Sequence, residues 1–330
     1  MRAFAIAEYK GPLREVEVPD PVIGEHDGRI AVDAAEPNHL DEKIRTGECK
    51  QMLPYALPLT LGHDLAGTVV AVGAKVTSFA AGNEVYARPG TTQIGTFAQR
   101  IAVAESDVAL RPTSITVAEA ASLPLVALTA WQALVERGQV KPGQKVLIHA
   151  GAGGVGAIAI QLAKHLGAHV ATTASAADEE FVRSLGADEV IDYRTDDFEQ
   201  RLRGYDLVLD SLGGENLAKS LRVLKKGGLA VGISGPPDPD FARIAQLNPV
   251  LRAAIWALSS KVRRQAKKLG VRYQFLFMRA SGDQLREIAA LVDRGVITPV
   301  RGKTVPFEEI PLALTALARG GVRGKVVAVR

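Results

Sequence analysis

Hydrophobic positions along this chain change their rhythm near residue 123. Before it, the short β-like runs RAFAIAEY, GRIAVDAAE, GTVVAVG, NEVYARPG and AQRIAVAE alternate with Gly/Pro turns. No long helical pattern interrupts them, so they predict a compact antiparallel β-rich unit up to about residue 122. Ala118 to Arg137 reads as a helix interrupted near Pro124, and Lys141-Pro142-Gly143 is a turn. Strand-like and helix-like runs then take turns. VLI (146–148), HVATTAS (169–175), EVIDYR (189–194), DLVLDS (206–211), GGLAVGIS (227–234) and VRYQFLFM (271–278) are separated by helical segments such as DEEFVRSLGA and ENLAKSLRVL. That alternation predicts a doubly wound parallel sheet of α/β type. From Gly282 the tail carries two apolar-periodic helices, QLREIAALVDRG and IPLALTALARG, and a final β-like run, KVVAVR.

The stretch KVLIHAGAGGVGAIAIQLAKHLG, from Lys145 to Gly167, stands out within this pattern. Val146, Leu147 and Ile148 form a β-prone run of the kind buried on both faces of a parallel sheet. Val155, Ile158, Ala159, Leu162, Ala163 and Leu166 recur at helical spacing and give one apolar face. Between them, Gly151, Gly153 and Gly156 hold the GxGxxG spacing, with Ala152, Gly154 and Val155 completing the turn. Gly151 permits the tight turn, Gly153 lets backbone approach a pyrophosphate, and Gly156 allows close helix–strand contact at the positive end of the helix. A purely structural glycine turn is the plain alternative. The flanking strand and helix favour a dinucleotide site.

Bulk properties narrow the class. At 330 residues the chain exceeds one comfortable core, so two domains are expected. A 47% hydrophobic and 23% charged composition describes a globular protein, and the net charge of +4 suits an anionic cofactor. No Lys/Arg patch interleaved with aromatics points to nucleic acid. Cys49, the single cysteine, excludes an intrachain disulfide and a cysteine-based zinc lobe, which fits a reducing cytoplasm. The N-terminal MRAFAIAEYKGP lacks a long apolar core and no run of about 18 apolar residues occurs, so neither export nor a membrane span is indicated.

Between the fifth and sixth strand-like runs lies PPDPDFARIAQLNPVLRAAIWALSSKVRRQAKKLG, a proline-rich loop leading into a helix. Its end gathers Lys261, Arg263, Arg264, Lys267 and Lys268. A basic amphipathic helix can lie on a membrane surface or bind an acidic partner. One short cluster favours a solvated face whose cations suit the helix C-terminus. The apolar half, with Trp256, offers instead a cover for part of an active-site cleft.

Five segments, LGHDLAGTVVAVG (61–73), AAGNEVYARPG (80–90), GTFAQRIAV (95–103), EAASLPLVALTAWQAL (119–134) and VLIHAGAGGVGAIAIQLAKHLGA (146–168), resemble the medium-chain dehydrogenase/reductase superfamily. They are most similar to its zinc-lacking quinone oxidoreductase and enone reductase branch, over essentially the whole chain. The resemblance implies a Rossmann sheet inserted in a GroES-like β-rich catalytic domain. Residues 1–124 would be the first part of that domain, 125–278 the Rossmann NADP-binding domain and 279–330 the returning segment.

Zinc-dependent members carry an early Cys, a His in a GHE motif and a later Cys or acidic residue. Here those slots hold Asn38, His63 of Gly62-His63-Asp64, and Leu125. His39, Asp41, His63 and Asp64 offer no thiolate and no third well-placed ligand, so no metal is expected and His63 reads as a hydrogen-bonded, substrate-lining residue. Without a metal, the implied substrate is an already activated acceptor, a quinone or an α,β-unsaturated carbonyl compound. A 2-enoyl-thioester reductase or a non-catalytic NADPH-binding sensor is the alternative.

AEPNHLDEKIRTG (35–47) resembles the branch's NPxDxKxRxG segment, with His39 in place of proline. It implies Asn38 as the residue orienting the substrate oxygen or the nicotinamide, against a plain Asx-turn role. Asp41 and Lys43 are weaker candidates, Lys43 as an oxyanion donor or a surface ion-pair member. Thr129 sits where the superfamily contacts the nicotinamide, and Tyr55 precedes the LGHD strand as a pocket-lining residue. The second strand ends Thr172-Thr173-Ala174-Ser175 and lacks the acid that binds a ribose 2′-hydroxyl, which favours NADPH. Ser175, Tyr193 and Arg194 are then implied 2′-phosphate contacts, although Ser175 and Asp178 also form a plausible helix-capping pair. The remaining cofactor contacts implied by the resemblance are Ser211, Leu212, Gly232, Ile233, Phe275, Phe277 and Lys325. Phe275 and Phe277 read equally as sheet core, and Lys325 as a solvated charge. An exposed edge at the sixth strand would invite sheet extension in a homodimer.

Overall fold

The computed structural model describes residues 1–300, 302–319 and 325–330, which divide into two compact units. One comprises Met1–Leu128 with Arg279–Arg330, and the other Thr129–Met278.

Among the described residues the first unit builds a seven-stranded sheet. Its path runs Lys303–Pro306, Val326–Val329, Asp27–Glu36, Asp64–Val72, Glu84–Ala87 and Val108–Leu110, and Arg100–Ala104 also pairs with Asp27–Glu36. All these pairings are antiparallel except that of the first two strands. Asp27–Glu36 buries alternate residues over most of its length, so Gly28, Ile30 and Val32 face the core formed with Leu65, Val69, Val85 and Val103, and a register shift after Val32 brings Ala35 into it. A smaller sheet of Arg14–Glu17, Arg2–Ile6 and Leu59–Thr60 accompanies it.

One helix here escapes the sequence pattern. His39–Thr46 occupies the segment read as a motif within a β-rich unit. Only Asp41 and Ile44 of its residues are buried, so it carries no apolar stripe to recognise. It starts because Asn38 N–H donates to the Asp41 carboxylate at 2.7 Å, and it ends at Gly47, whose φ of 82° is left-handed.

The second unit is the six-stranded parallel sheet that the alternation predicts. Its order is Glu189–Asp192, His169–Ala174, Lys145–Ile148, Tyr205–Asp210, Leu224–Gly232 and Arg272–Phe275. The helix Gly154–His165 buries every residue from Gly156 to Ala163. Helix Pro124–Trp131 begins at the proline that interrupts the pattern and runs into a π-helical turn, Gln132–Arg137.

The basic stretch is three helices, not one: Pro239–Ile244, Pro249–Leu258 and Ser260–Leu269. Asp238 and Asn248 each accept a backbone N–H, from Phe241 and Leu251, and each is followed by proline in the first turn. Each cap-plus-proline pair starts a new helix. The sixth strand ends at Phe275, so Phe277 lies beyond it. Phe275 N–H donates to the Asp238 carboxylate at 2.9 Å, which partly closes the edge available for sheet extension.

Candidate active site

In a parallel sheet every strand delivers its C-terminal end to the same edge, and ligands bind there. In the second unit that edge collects the turn after Ile148, the end of His169–Ala174, the loop after Asp210 and the end of Leu224–Gly232. The glycine turn is shaped by contacts that exclude side chains. A Cβ on Gly151 would stand 2.2 Å from Thr172 Oγ1, and one on Gly156 would stand 2.2 Å from the Ala150 carbonyl oxygen. Gly153 differs, because its Cβ would meet only Ala150 O, at 3.2 Å. Its side is open and the residue is exposed, which leaves backbone accessible to a ligand. The helix starting at Gly154 has no side-chain cap and no acidic residue in its first turn, so its leading N–H groups suit an anion. These features fit a dinucleotide pyrophosphate.

Beneath the turn lies a buried relay that the sequence reading missed. Ala150 N–H donates to Thr173 Oγ1 at 3.1 Å, and Thr173 Oγ1 lies 3.1 Å from His149 Nδ1. On the other side of the ring, His149 Nε2 is 2.9 Å from Ser220 Oγ, whose single proton has two acceptors in reach, Asn216 O at 2.8 Å and Asp210 Oδ2 at 3.2 Å. Asp210 Oδ1 accepts the N–H groups of Gly213 at 2.6 Å and Leu212 at 3.2 Å. Burial lowers the His149 pKa to about 4, so the ring is neutral, and because the Ser220 proton goes to a carbonyl or carboxylate oxygen the ring donates to Ser220 from Nε2. The relay therefore joins the glycine turn to the Ser211–Gly213 loop. Sequence carried one cue, a histidine within an apolar strand end.

Other implied cofactor contacts divide. Ile233 N–H donates to Asp210 O at 2.9 Å, and Gly232 ends the fifth strand, so both stand at the ligand edge. Ser211 Oγ donates to His149 O at 3.4 Å and Leu212 is exposed beside it. Tyr193 and Arg194 are exposed and stacked, with the guanidinium 5.7 Å from the ring centroid. Ser175 is corrected: its only hydroxyl proton goes to Asp178 Oδ2 at 2.6 Å, leaving none to donate to a phosphate. Phe275 and Phe277 both pack on Phe241, at 5.3 and 5.8 Å between ring centroids, within the apolar core. Thr129 is buried in its helix and is hydrogen-bonded.

The first unit holds a second polar cluster. Glu36, Asn38, Asp41, His63, Asp64 and Arg88 are all buried. Lys325 Nζ lies 2.6 Å from Glu36 Oε1 and donates to Asn38 Oδ1 at 3.4 Å. Asn38 Nδ2 donates to Glu36 O at 3.2 Å and to Asp64 Oδ2 at 2.9 Å, while Asp64 Oδ1 accepts Leu125 N–H at 2.9 Å. Asp41 Oδ1 accepts from Gly62 N at 3.1 Å and from His63 Nδ1 at 2.6 Å. Desolvation lowers the His63 pKa against the pull of Asp41, so the ring is neutral and its buried Nε2 keeps an unpartnered lone pair. Burial raises Glu36 to about 8 and Asp64 to about 7, with Lys325 opposing both.

Three sequence expectations change here. Asn38 has both amide protons and its oxygen engaged inside the cluster, so it holds neighbours in place and has no proton left for a substrate oxygen. Lys43 is exposed, because two helical positions beyond the buried Asp41 the side chain points to a different face. Lys325, read as a cofactor contact or else a solvated charge, is tied into this cluster through Glu36. Tyr55 gains weight. Its hydroxyl is buried without a partner, and burial raises its pKa to about 12 against the pull of Arg88. It is a protonated donor with no acceptor among the described residues to receive its proton.

Zinc does not fit this donor set. His63 offers one lone pair, at Nε2, but the slots for the remaining ligands hold Asn38, whose amide is spent within the cluster, and Leu125, which has no ligating side chain, and Lys325 already places a cation among the carboxylates. Among the described residues, no group of three or more His, Cys, Asp or Glu is placed to hold a metal ion. No helix among them is long and apolar enough to cross a membrane.

Comparison with known proteins identifies the family. Residues 24–113 match a family model described as the alcohol dehydrogenase GroES-like domain, and residues 185–327 match one described as zinc-binding dehydrogenase. The mouse mitochondrial NAD(P)H oxidoreductase RTN4IP1 is 37% identical over 90% of this chain and 80% of its own. A chloroplastic NADPH-dependent alkenal/one oxidoreductase of Arabidopsis thaliana is 34% identical over 99% of this chain and 79% of its own. Among solved structures, a quinone oxidoreductase from Coxiella burnetii superposes with a TM-score of 0.86 at 30% identity, covering 100% of this chain and 99% of its own. A mycobacterial protein solved with NADPH reaches 0.81 at 29% identity, covering 100% of both chains. The chain belongs to the medium-chain dehydrogenase/reductase superfamily, in its quinone oxidoreductase and enone reductase branch, and is an oxidoreductase of the nicotinamide-dependent kind.

Proposed function

We propose that this protein reduces quinones or α,β-unsaturated carbonyl compounds with NADPH and without zinc. The observation that carries the reading is the Tyr55 hydroxyl, a buried, protonated donor without a partner. When bound, the dihydronicotinamide supplies a hydride to the electron-poor carbon of the substrate. Negative charge then develops on the substrate oxygen, and Tyr55 donates a hydrogen bond to it. With its pKa near 12 the phenol keeps its proton in the resting enzyme. The Asp41–His63 pair fixes the imidazole and leaves Nε2 as a buried acceptor. Asn38 and Lys325 hold Glu36 and Asp64 in place and take no part in proton transfer.

For the cofactor, the uncapped helix at Gly154 receives the pyrophosphate, and Tyr193 with Arg194 receives the adenosine 2′-phosphate, the role withdrawn from Ser175. Two relatives and one solved neighbour name NADPH or NAD(P)H, which supports the assignment. A homodimer and a reducing, cytoplasmic setting are also proposed, the latter because Cys49 is buried and unpaired.

The test is NADPH and NADH oxidation across a panel of enones and quinones in metal-free buffer. Turnover with NADPH that survives chelation supports the reading. Strict loss with chelator and recovery with zinc sinks it. Tight NADPH binding without any turnover would assign the protein as a sensor.

A further inference from the structure

The helix Pro249–Leu258, PVLRAAIWAL, is apolar at every position but Arg252, yet Ile255 is its only buried residue. Val250 is 78% exposed, Trp256 59% and Leu258 64%. Projected around the helix at 100° per residue, the exposed Trp256, Ala253, Ala257, Val250, Ala254 and Leu258 follow one another over an arc of about 200° whose centre lies roughly opposite Ile255. Ile244, which ends the preceding helix, is 58% exposed as well. Isolated apolar residues on a surface are ordinary, but a helix that turns most of its apolar side chains outward marks an interaction surface.

Charge identifies what it meets. Residues 241–278 contain eight arginines and lysines and no aspartate or glutamate. Lys261, Arg264, Lys267 and Lys268 are exposed on the adjoining helix Ser260–Leu269, and Arg263 stacks on Trp256 at 5.1 Å. Of the eight, only Arg243 has an ion-pair partner among the described residues, Asp240. An unneutralised cationic field beside an apolar arc with an interfacial tryptophan complements an anionic lipid surface.

We infer that helices Pro249–Leu258 and Ser260–Leu269 form a peripheral docking face for anionic membrane, with Trp256, Val250 and Leu258 entering the headgroup boundary and the lysines meeting lipid phosphates. A second copy of this chain is the weaker occupant. A two-fold contact sets the same cationic face against itself. A helix of ten residues spans only about 15 Å, which offers far less than the roughly 800 Å² per partner of a stable interface. An acidic protein would need an apolar groove shaped to this arc, whereas a bilayer needs no shape match.

The experiment is co-sedimentation of the full-length protein with phosphatidylcholine vesicles, with and without a large fraction of phosphatidylglycerol, at low and high salt. Binding is expected only with the anionic lipid and is expected to fall as salt screens it. Lys267→Gln with Lys268→Gln should weaken partitioning roughly thirtyfold, and Trp256→Ser with Leu258→Ser at least about tenfold. Both variants replace exposed side chains, so their thermal melts should match the parent, and a matched melt separates lost docking from lost folding. Equal binding to neutral vesicles, or an unchanged partition of the lysine variant, overturns the proposal. So does failure to sediment with anionic vesicles at low salt, which would turn the face over to an acidic protein. Concentration-dependent self-association removed by the same substitutions overturns it too and assigns the face to a second copy.

Discussion

Two alanine substitutions in the glycine turn separate what the turn does for the cofactor from what it does for the fold. At Gly153 the backbone has φ −79° and ψ 166°, an extended conformation that alanine adopts freely. The added Cβ meets only Ala150 O at 3.2 Å, a contact relieved by a shift of a few tenths of an ångström. Gly153→Ala should therefore change stability by no more than about 0.5 kcal/mol. The same methyl, however, stands at the mouth of the uncapped helix, where the pyrophosphate must approach. Losing one charge-assisted hydrogen bond there removes about 1.5–3 kcal/mol of binding, so the Kd for NADPH should rise roughly 10- to 150-fold.

Gly156→Ala should behave in the opposite order. Its Cβ would lie 2.2 Å from Ala150 O and 2.8 Å from Gly151 Cα, both backbone atoms that cannot rotate away. Overpacking of this kind costs about 1–3 kcal/mol, or roughly 2–12 °C in Tm for a chain of this size. NADPH titration by fluorescence and thermal melting of both variants are the two readouts. If Gly153→Ala melts early while Gly156→Ala does not, the assignment of open and closed sides is wrong. Normal NADPH affinity in a well-folded Gly153→Ala would remove the pyrophosphate from the turn.

Other expectations follow from the first unit. Tyr55→Phe deletes a buried hydroxyl that has no partner, so stability should hold or rise by about 1 kcal/mol while kcat/KM for an enone falls roughly 10²- to 10³-fold, checked by denaturant melts and steady-state kinetics. Glu36 titrates in the folded state at about 8 instead of 4.5, so the folded protein holds a proton that the unfolded chain has lost. Stability from this group is complete below about pH 4.5 and declines as pH rises to about 8; Glu36→Gln should flatten that slope in melts taken across the range. Dialysis against chelator should leave both NADPH oxidation and the melting temperature unchanged, since neither unit offers a zinc ligand set among its described residues.

What was legible in the sequence tracks how locally each feature is encoded. The parallel sheet and its cofactor edge come from contiguous signals: an apolar strand, a glycine turn and an apolar-periodic helix all fall within Lys145–Gly167. Helix Pro249–Leu258 shows the limit of such signals. Its composition is apolar, and composition alone places it inside; that Ile255 alone is buried depends on what the fold sets beside it. Ser175 is a nearer miss, because one serine three residues before an aspartate serves a phosphate or a helix start equally well. The 2.6 Å bond to Asp178 decides between them.

The polar cluster of the first unit was not legible, and its electrostatics explain why it still resembles a metal centre in outline. Glu36, Asn38, His63, Asp64 and Lys325 are spread over 290 positions, and Glu36 and Lys325 individually look like a strand end and a terminal charge. Assembled, they bury three carboxyl groups, Glu36, Asp64 and the neighbouring Asp41. Buried carboxylates are costly unless something compensates them. Compensation here comes from within the chain: the Lys325 ammonium on Glu36, the Asn38 amide and Leu125 N–H on Asp64, and the His63 and backbone N–H groups on Asp41. Proton uptake by Glu36 and Asp64 near neutrality relieves what charge remains. A lysine and fixed N–H donors thus supply most of the charge balance, and the Tyr55 hydroxyl and His63 Nε2 stay unpartnered among the described residues, as do Glu36 Oε2, Arg88 Nε and Thr96 Oγ1. That inventory suits a carbonyl already activated by conjugation, which needs a hydrogen bond at its oxygen more than a Lewis acid.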